Sequence, residues 1–495
     1  MPTPVQVEIA TGRIEGQWRD GVARFLALPY AEPLCPERRL CAPLPRQAWS
    51  GVRAAHAPGH AVPQEHAGFL GVGECGEDCL HLNIWSPGLQ GQHAVMVWVH
   101  GGGFLNGSNA QAIYDGEQLA RAQNVVVVSV NYRLGLAGFG DWRAYPELAA
   151  DTNCGLRDLI LALQWVQTQI AVFGGDPQRV TLFGESAGGM AVASLLSVEV
   201  ARSLFQRAIV QSGSADHIYL PQYAQQVTAR MREQMPDLQS LAAASWPQWL
   251  RAQRSTLRML MPRGRAKPQI MQYGMPALPY IDDDLLSPSL WTAARDTRPL
   301  LLGVTRDEWS IFLHHPELMG GKKAEPKVLD EADFARLVQR GVPARAAALS
   351  AAYSDLLAGE SVEARMIMFE TDRIFTMSSL KLAEAAADRS WFYRMDWICA
   401  GLRQLGACHI VDLPFVFANL DTPWGQFFAG SRASAAALSR LMQDHWGHFA
   451  REGCPGGSWP AYGSSAQVQV FSENPHLESD PYRQRREIWQ SQGVW

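Results

Sequence analysis

A serine with a glycine two residues away on either side is the most reactive feature of this 495-residue chain. Gly184-Glu185-Ser186-Ala187-Gly188 follows Val180 to Phe183, an apolar run of strand character, and precedes Met190 to Leu196, which is apolar and helix-compatible. A strand, a tight turn and a helix with Ser at the apex lift a hydroxyl above a sheet, at the positive end of the following helix. Glycines are needed there because the Ser backbone is strained and neighbouring side chains would clash. G-x-S-x-G alone is a weak pattern. Between a strand and a helix it points to a nucleophile that attacks a carbonyl and forms an acyl-enzyme.

Such a serine needs donors for the oxyanion, a base, and an acid that orients the base. His100-Gly101-Gly102-Gly103 stands at the end of the apolar run Ala94 to Val99. Backbone N–H groups of Gly102 and Gly103 can approach a substrate oxygen there, and the N–H of Ala187 supplies a third donor. The acid is expected in a loop after a later strand. Gly303-Val304-Thr305-Arg306-Asp307-Glu308 offers two carboxylates, Asp307 and Glu308, which spacing alone does not separate. The base comes last in the order Ser, acid, His. His409, in Gly406-Ala407-Cys408-His409-Ile410-Val411-Asp412, follows the Trp391 strand and is favoured over four rivals. His314 and His315 sit too close to the acid, and His445 and His448 fall in a late helical stretch.

These groups need a rigid frame. Val5 to Arg13 and Val22 to Leu28 read as early strands, and Ala31 to Gln64, rich in Pro, Ala and Arg, reads as surface loop. Glu77 to Trp85 alternates into a strand. Ala94 to Val99 and Asn124 to Val130 are continuous apolar runs, as a sheet buried on both faces requires. Asp158 to Ala171 has helical spacing and returns the chain to the elbow strand in a βαβ crossover. Arg207 to Gln211, Leu300 to Val304, Trp391 to Met395 and Val468 to Phe471 are further strands. Gln222 to Thr256, Ala332 to Ala358 and Glu363 to Arg389 read as helical. The pattern predicts an α/β fold over residues 1–495 as a single domain: a mostly parallel central sheet with helices on both faces. Helical insertions at roughly 215–298 and 310–389 are expected to build a cap over the site.

Composition excludes other classes. Hydrophobic content of 47% and charged content of 18% describe a well-buried globular protein. A net charge of −5 with no basic cluster argues against a nucleic-acid partner. No run of about 18 apolar residues is present, and the N-terminus has no basic region leading into an apolar core, so no membrane association is expected. A cytoplasmic monomer or small homo-oligomer is the plain expectation. The eight cysteines show no paired C-x-x-C units. Cys75 and Cys79, four apart, read as two unrelated thiols in a loop rather than a metal or disulfide site.

The chain resembles the type-B carboxylesterases, the family that also contains cholinesterases and bacterial para-nitrobenzyl esterases. Phe173 to Gly188 matches the family's serine signature, and Glu77-Asp78-Cys79-Leu80 with Leu82-Asn83 matches its second signature. Pro29-Tyr30-Ala31, Asn131-Tyr132-Arg133, Asn153 with Gly155-Leu156 and Asp158, Gln211-Ser212-Gly213, and Trp459-Pro460-Ala461-Tyr462 are also family-like. The resemblance implies the α/β-hydrolase fold and hydrolysis of small to medium alkyl or aryl esters through an acyl-enzyme, with no cofactor or metal. By it Ser186 is the nucleophile, Glu308 rather than Asp307 the acid, and His409 the base, with Gly102, Gly103 and Ala187 as oxyanion hole. The same machinery serves amides, lactones and carbamates. The family also holds catalytically silent scaffold proteins, which have typically lost triad members that this chain keeps.

Two departures from the family pattern stand out. Many relatives pair the Cys of the second signature with a Cys some 25 to 30 residues upstream, as the resemblance has it, but no Cys lies between Cys41 and Cys75, the stretch His56 to Gln64 included. The usual loop disulfide is therefore expected to be absent, which fits a reducing compartment. Cys35, Cys41 and a shortened Leu34 to Leu40 stretch alter the early loop. Phe69 lies near where cholinesterases place their choline-binding Trp, and choline recognition is not expected.

Overall fold

The apolar runs pair side by side. The computed structural model describes residues 3–65, 71–213, 216–235, 237, 241, 243–260, 275–287, 297–319, 323, 328–463 and 465–494. Among them, thirteen strands join one sheet. In chain order these are β1 (Thr3–Ile9), β2 (Gly12–Arg19), β3 (Val22–Pro29), β4 (Val52–Ala54), β5 (His81–Ser86), β6 (His93–Val99), β7 (Val126–Val130), β8 (Gly175–Glu185), β9 (Arg207–Gln211), β10 (Leu300–Thr305), β11 (Ser390–Met395), β12 (Gln467–Phe471) and β13 (His476–Ser479). The spatial order is β1-β2-β3-β5-β7-β6-β8-β9-β10-β11-β12-β13, with β4 beside β2. From β7 to β12 every neighbouring pair is parallel. The flanks, β1-β2-β3-β5-β7 on one side and β12-β13 on the other, are antiparallel.

Uninterrupted apolar runs arise because each central strand feeds two cores. Val95, Val97 and Val99 of β6 enter one core, while Ala94, Met96 and Trp98 enter the other. β7 does the same with Val126, Val128 and Val130 against Val127. Successive side chains point to opposite faces, so a strand covered on both is apolar at most positions, the buried Ser129 of β7 being an exception. Helices Cys154–Gln169 and Ala187–Leu195 close the first core, and Glu117–Gln123 and Ala433–Glu452 the second.

Several boundaries differ from the sequence reading. Val5 to Arg13 is not one strand but the hinge of a hairpin: Ala10 and Thr11 form the turn, and Ile9 pairs with Gly12. β5 starts only at His81 and is buried at all six positions, so the apparent alternation before it belongs to loop. The segment Ala332 to Ala358 is two helices, Glu331–Gly341 and Ala346–Leu356, divided at Pro343, whose ring cannot continue a helix. Gln222 to Thr256 likewise splits into Pro221–Gln234 and Trp246–Leu260. The exposed edge strand β13 carries no apolar pattern and was not expected. Phe69 and part of the 215–298 insertion lie outside the described residues.

Because β6, β8, β10 and β11 run parallel, the loops after them open at one end of the sheet. The loop His100 to Gly103 follows β6, Ser186 follows β8, Glu308 follows β10 and His409 follows β11. Open α/β sheets bind ligands at this carboxyl end.

Candidate active site

Ser186 interrupts the passage from β8 to its helix with φ 56° and ψ −127°, a backbone conformation that L-residues rarely adopt. The turn is pinned on both sides. Ser186 N–H donates to the Gln211 carbonyl on β9 at 2.9 Å, and the Ser186 carbonyl accepts from Met190 N–H at 2.8 Å. Gly188 is required by contact: a Cβ there would lie 2.0 Å from the Val99 carbonyl oxygen. The helix therefore rests on the end of β6, beside the oxyanion loop. The Ser186 hydroxyl makes no capping bond to the helix.

The loop after β6 turns back on itself. Gly102 sits at φ 113°, and its carbonyl accepts from the N–H groups of Leu105 and Asn106 at 3.1 and 3.0 Å. This turns the N–H side of the loop the other way. Among the described residues, the N–H groups of Gly102, Gly103 and Ala187 have no acceptor. His100 supports the loop from below. Its ring stacks on Tyr132 at 4.7 Å, its Nδ1 lies 2.9 Å from the Gly101 carbonyl, and the Tyr132 hydroxyl donates to the His100 carbonyl at 2.9 Å. Burial pushes the His100 imidazole down to about 4, so it sits neutral.

The two carboxylates after β10 separate clearly. Glu308 is fully buried, with Oε2 2.6 Å from His409 Nδ1 and Oε1 accepting from Thr305 N–H at 2.7 Å. Asp307 turns away to the Arg306 guanidinium and to Ala407 N–H, both at 2.8 Å. It braces the loop that carries His409. The rival histidines are engaged elsewhere: His314 with Glu363, His315 with Glu317, and His445 and His448 with the Pro455 and Cys454 carbonyls.

His409 has a second carboxylate neighbour that sequence reasoning missed. Its Nε2 lies 3.0 Å from Glu185 Oε1, close enough to pair but off the line of a hydrogen bond. Burial pushes the His409 imidazole down, yet Glu185 and Glu308 outweigh it and hold it up at about 10. Burial pushes Glu185 up to about 7 against the pull of His409. A third buried acid, Asp412, accepts from Gln211 Nε2 and the Tyr393 hydroxyl at 2.9 and 2.8 Å, and burial raises it too. Phe312 and Phe375 lie against the imidazole at 5.3 and 4.9 Å. Glu185 was visible as the residue before the serine, but nothing in the motif gave it a partner.

The site thus joins a strained serine, a buried acid–imidazole pair and a set of unused donors, the parts of acyl transfer. The sequence as a whole decides its class. The model of the carboxylesterase family matches residues 3–489. The chain belongs to that family. It is 32% identical to the para-nitrobenzyl esterase of Bacillus subtilis over 96% of both chains. It is also 32% identical to the phenmedipham hydrolase of Pseudarthrobacter oxydans, over 90% of this chain and 89% of that protein. The solved carboxylesterase of Geobacillus stearothermophilus matches with a TM-score of 0.84 at 33% identity, over 98% of this chain and 100% of its own. The architecture is the α/β-hydrolase fold, and the protein is a carboxylic-ester hydrolase of the serine type. All eight cysteines are free, Cys79 buried and Cys75 exposed. Among the described residues no helix is long and apolar enough to cross a membrane, and no group of three or more His, Cys, Asp or Glu is arranged to hold a metal.

Proposed function

We propose that Ser186, Glu308 and His409 are the catalytic triad of this hydrolase, and that Gly102, Gly103 and Ala187 supply its oxyanion hole. The observation that carries the reading is the 2.6 Å contact between Glu308 and His409, on loops adjoining the strained Ser186. For reaction, His409 in its neutral form turns Nε2 from Glu185 toward Ser186 Oγ and takes its proton. The oxygen attacks the ester carbonyl, and the resulting oxyanion accepts from the three waiting N–H groups. His409 then protonates the leaving alcohol. Water repeats the sequence on the acyl-enzyme and releases the acid. Glu308 holds the imidazole tautomer throughout. No cofactor takes part in this scheme.

Small to medium alkyl or aryl esters are the proposed substrates. An amide, lactone or carbamate is the second reading, favoured by the 32% identity to a relative named for phenmedipham hydrolysis. A matched ester and amide pair separates the two, because the amide demands better protonation of its leaving group. A cytoplasmic location and a single domain, as a monomer or small homo-oligomer, belong to the same proposal. The test is hydrolysis of para-nitrophenyl esters of increasing acyl length by wild type and Ser186→Ala. Loss of at least about 10³-fold in the variant supports the reading, and activity that survives intact overturns it.

A further inference from the structure

One helix of the second insertion touches two of the loops that carry the proposed triad, and the loop after β9 that packs against the third. It runs as an α-helix over Val362–Thr371, opens into a π turn over Asp372–Thr376, and continues as an α-helix over Met377–Ala386. Three of its side chains, four residues apart, meet one loop each. Thr371 Oγ1 accepts from the N–H of Trp309, the residue after Glu308, at 3.2 Å. The Phe375 ring lies 4.9 Å from the His409 imidazole. Ser379 Oγ donates to the Gly213 carbonyl at 2.7 Å, and Gly213 packs against Gly189 and Met190 in the first turn of the elbow helix.

That spacing accounts for the π turn. In an α-helix, positions four apart drift around the axis by about 40°, so Thr371 and Ser379 would diverge by about 80°. A turn closed by i→i+5 bonds takes more residues, so it drifts the opposite way and brings the three positions back toward one face. Asp372 anchors the turn. Fully buried, it accepts from the Tyr353 hydroxyl at 2.6 Å and from Arg485 Nη1 at 3.0 Å. The Tyr353 hydroxyl in turn accepts from Trp489 Nε1 at 2.8 Å, so the helix Arg483–Ser491 takes part in holding the turn.

We propose that the π turn is a positioning element for catalysis, setting Phe375 against the His409 imidazole while Thr371 and Ser379 hold the acid loop and the elbow in register. Phe375 is 3% exposed and stacks with Phe312 at 6.5 Å, so two rings bear on the imidazole and limit its rotation. Proton transfer between Ser186 and His409 tolerates little displacement. Phe375 is a positioning residue, acting through His409, and the inference rests on His409 being the base.

The experiment compares Phe375→Leu, Phe375→Ala and His409→Ala with wild type. It reads kcat and KM on a short para-nitrophenyl ester, and the low-field proton NMR signal of the His409 Nδ1–Glu308 hydrogen bond. Phe375→Ala is expected to lose about 10- to 100-fold in kcat with KM little changed, and its low-field signal to broaden. Phe375→Leu, which refills most of the volume, is expected to recover part of both. Should Phe375→Ala not fold, Phe375→Leu carries the test, with a smaller fall in kcat and KM held. A raised KM at constant kcat makes Phe375 a substrate contact and overturns the proposal, as does an unchanged kcat with a sharp low-field signal. Full activity in His409→Ala instead overturns the triad reading beneath it.

Discussion

Glu185 Oε1 stands 3.0 Å from His409 Nε2, while Glu308 Oε2 stands 2.6 Å from Nδ1, so the imidazole is held between two buried carboxylates. The residue before Ser186 is therefore part of the electrostatics of the proposed base. The other Glu185 oxygen and the Ser186 Cβ both border the α-carbon of Gly101, so this charge lies beside the oxyanion loop as well. In the resting protein the arrangement favours an imidazolium, which cannot accept the serine proton.

Removing that charge moves the pH profile in a definite direction. The base works only when neutral, and the neutral fraction rises as pH climbs through its pKa. His409 is held up at about 10 by Glu185 and Glu308 against burial. In Glu185→Gln one of these two charges is gone, the pKa falls, and the acid limb of kcat/KM shifts to lower pH by about one to three units. A pH series on a non-ionising ester measures it. An unmoved limb means that Glu185 does not act on the base.

The neighbouring pair of acids gives a second test. Glu308→Gln keeps the shape but removes the acceptor charge on Nδ1, and kcat is expected to fall by about 10⁴-fold, as for other triad acids made neutral. Asp307→Asn retains an oxygen for Ala407 N–H and is expected to keep kcat within about tenfold. Steady-state kinetics of the two variants side by side decide it, and equal losses would contradict the assignment.

That contrast also marks how far the sequence could be read. Ser186 announced itself because the elbow is local: glycines, a strand before and a helix after lie within a few residues. The central strands were legible for the same reason, since double burial writes itself as an unbroken apolar run. Asp307 and Glu308, being adjacent in sequence, differ only in the direction the chain gives them after β10, which spacing does not encode. Glu185 and His409 meet across 224 positions of numbering, through the packing of β8 against the loop after β11. The π turn at Asp372–Thr376 is a change of register inside a helical pattern, so periodicity passes over it. The hairpin at Ala10-Thr11 was hidden by β-branched and apolar residues on both of its sides.

The oxyanion loop predicts opposite behaviour at two adjacent glycines. A Cβ on Gly102 would lie 2.1 Å from the Asn106 carbonyl oxygen, so alanine there must displace the backbone that aims the donors. Gly102→Ala is expected to lower kcat by about 10²- to 10³-fold, the cost of a lost oxyanion donor. At Gly103, φ is 61° and a Cβ meets nothing within 4 Å. Gly103→Ala is expected to pay only left-handed strain, about 1–2 kcal/mol of stability, and to keep most of its kcat. Kinetics with thermal unfolding on both proteins check the pair, and a more damaging Gly103→Ala would place the essential donor elsewhere.

The last prediction concerns the frame rather than the chemistry. Arg133, just after β7, makes a two-pronged pair with Asp158 of the helix Cys154–Gln169: Nη2 to Oδ1 at 2.6 Å and Nε to Oδ2 at 2.8 Å. Neither side chain is exposed. Arg133 N–H also donates to Oδ2, and Nη1 reaches the carbonyls of Arg39 and Cys41 at 3.0 and 2.6 Å. One guanidinium thereby ties the end of β7, the crossover helix and the early loop, and Tyr132 beside it supports His100 under the oxyanion loop. Asp158→Ala leaves the guanidinium buried and uncompensated, a change that costs about 3–5 kcal/mol. Denaturant unfolding should register that loss, while KM of the remaining folded enzyme stays near wild type because no group at Ser186 is touched. A loss below about 1 kcal/mol would mean that water or another acid reaches Arg133, and that the early loop is held by other contacts.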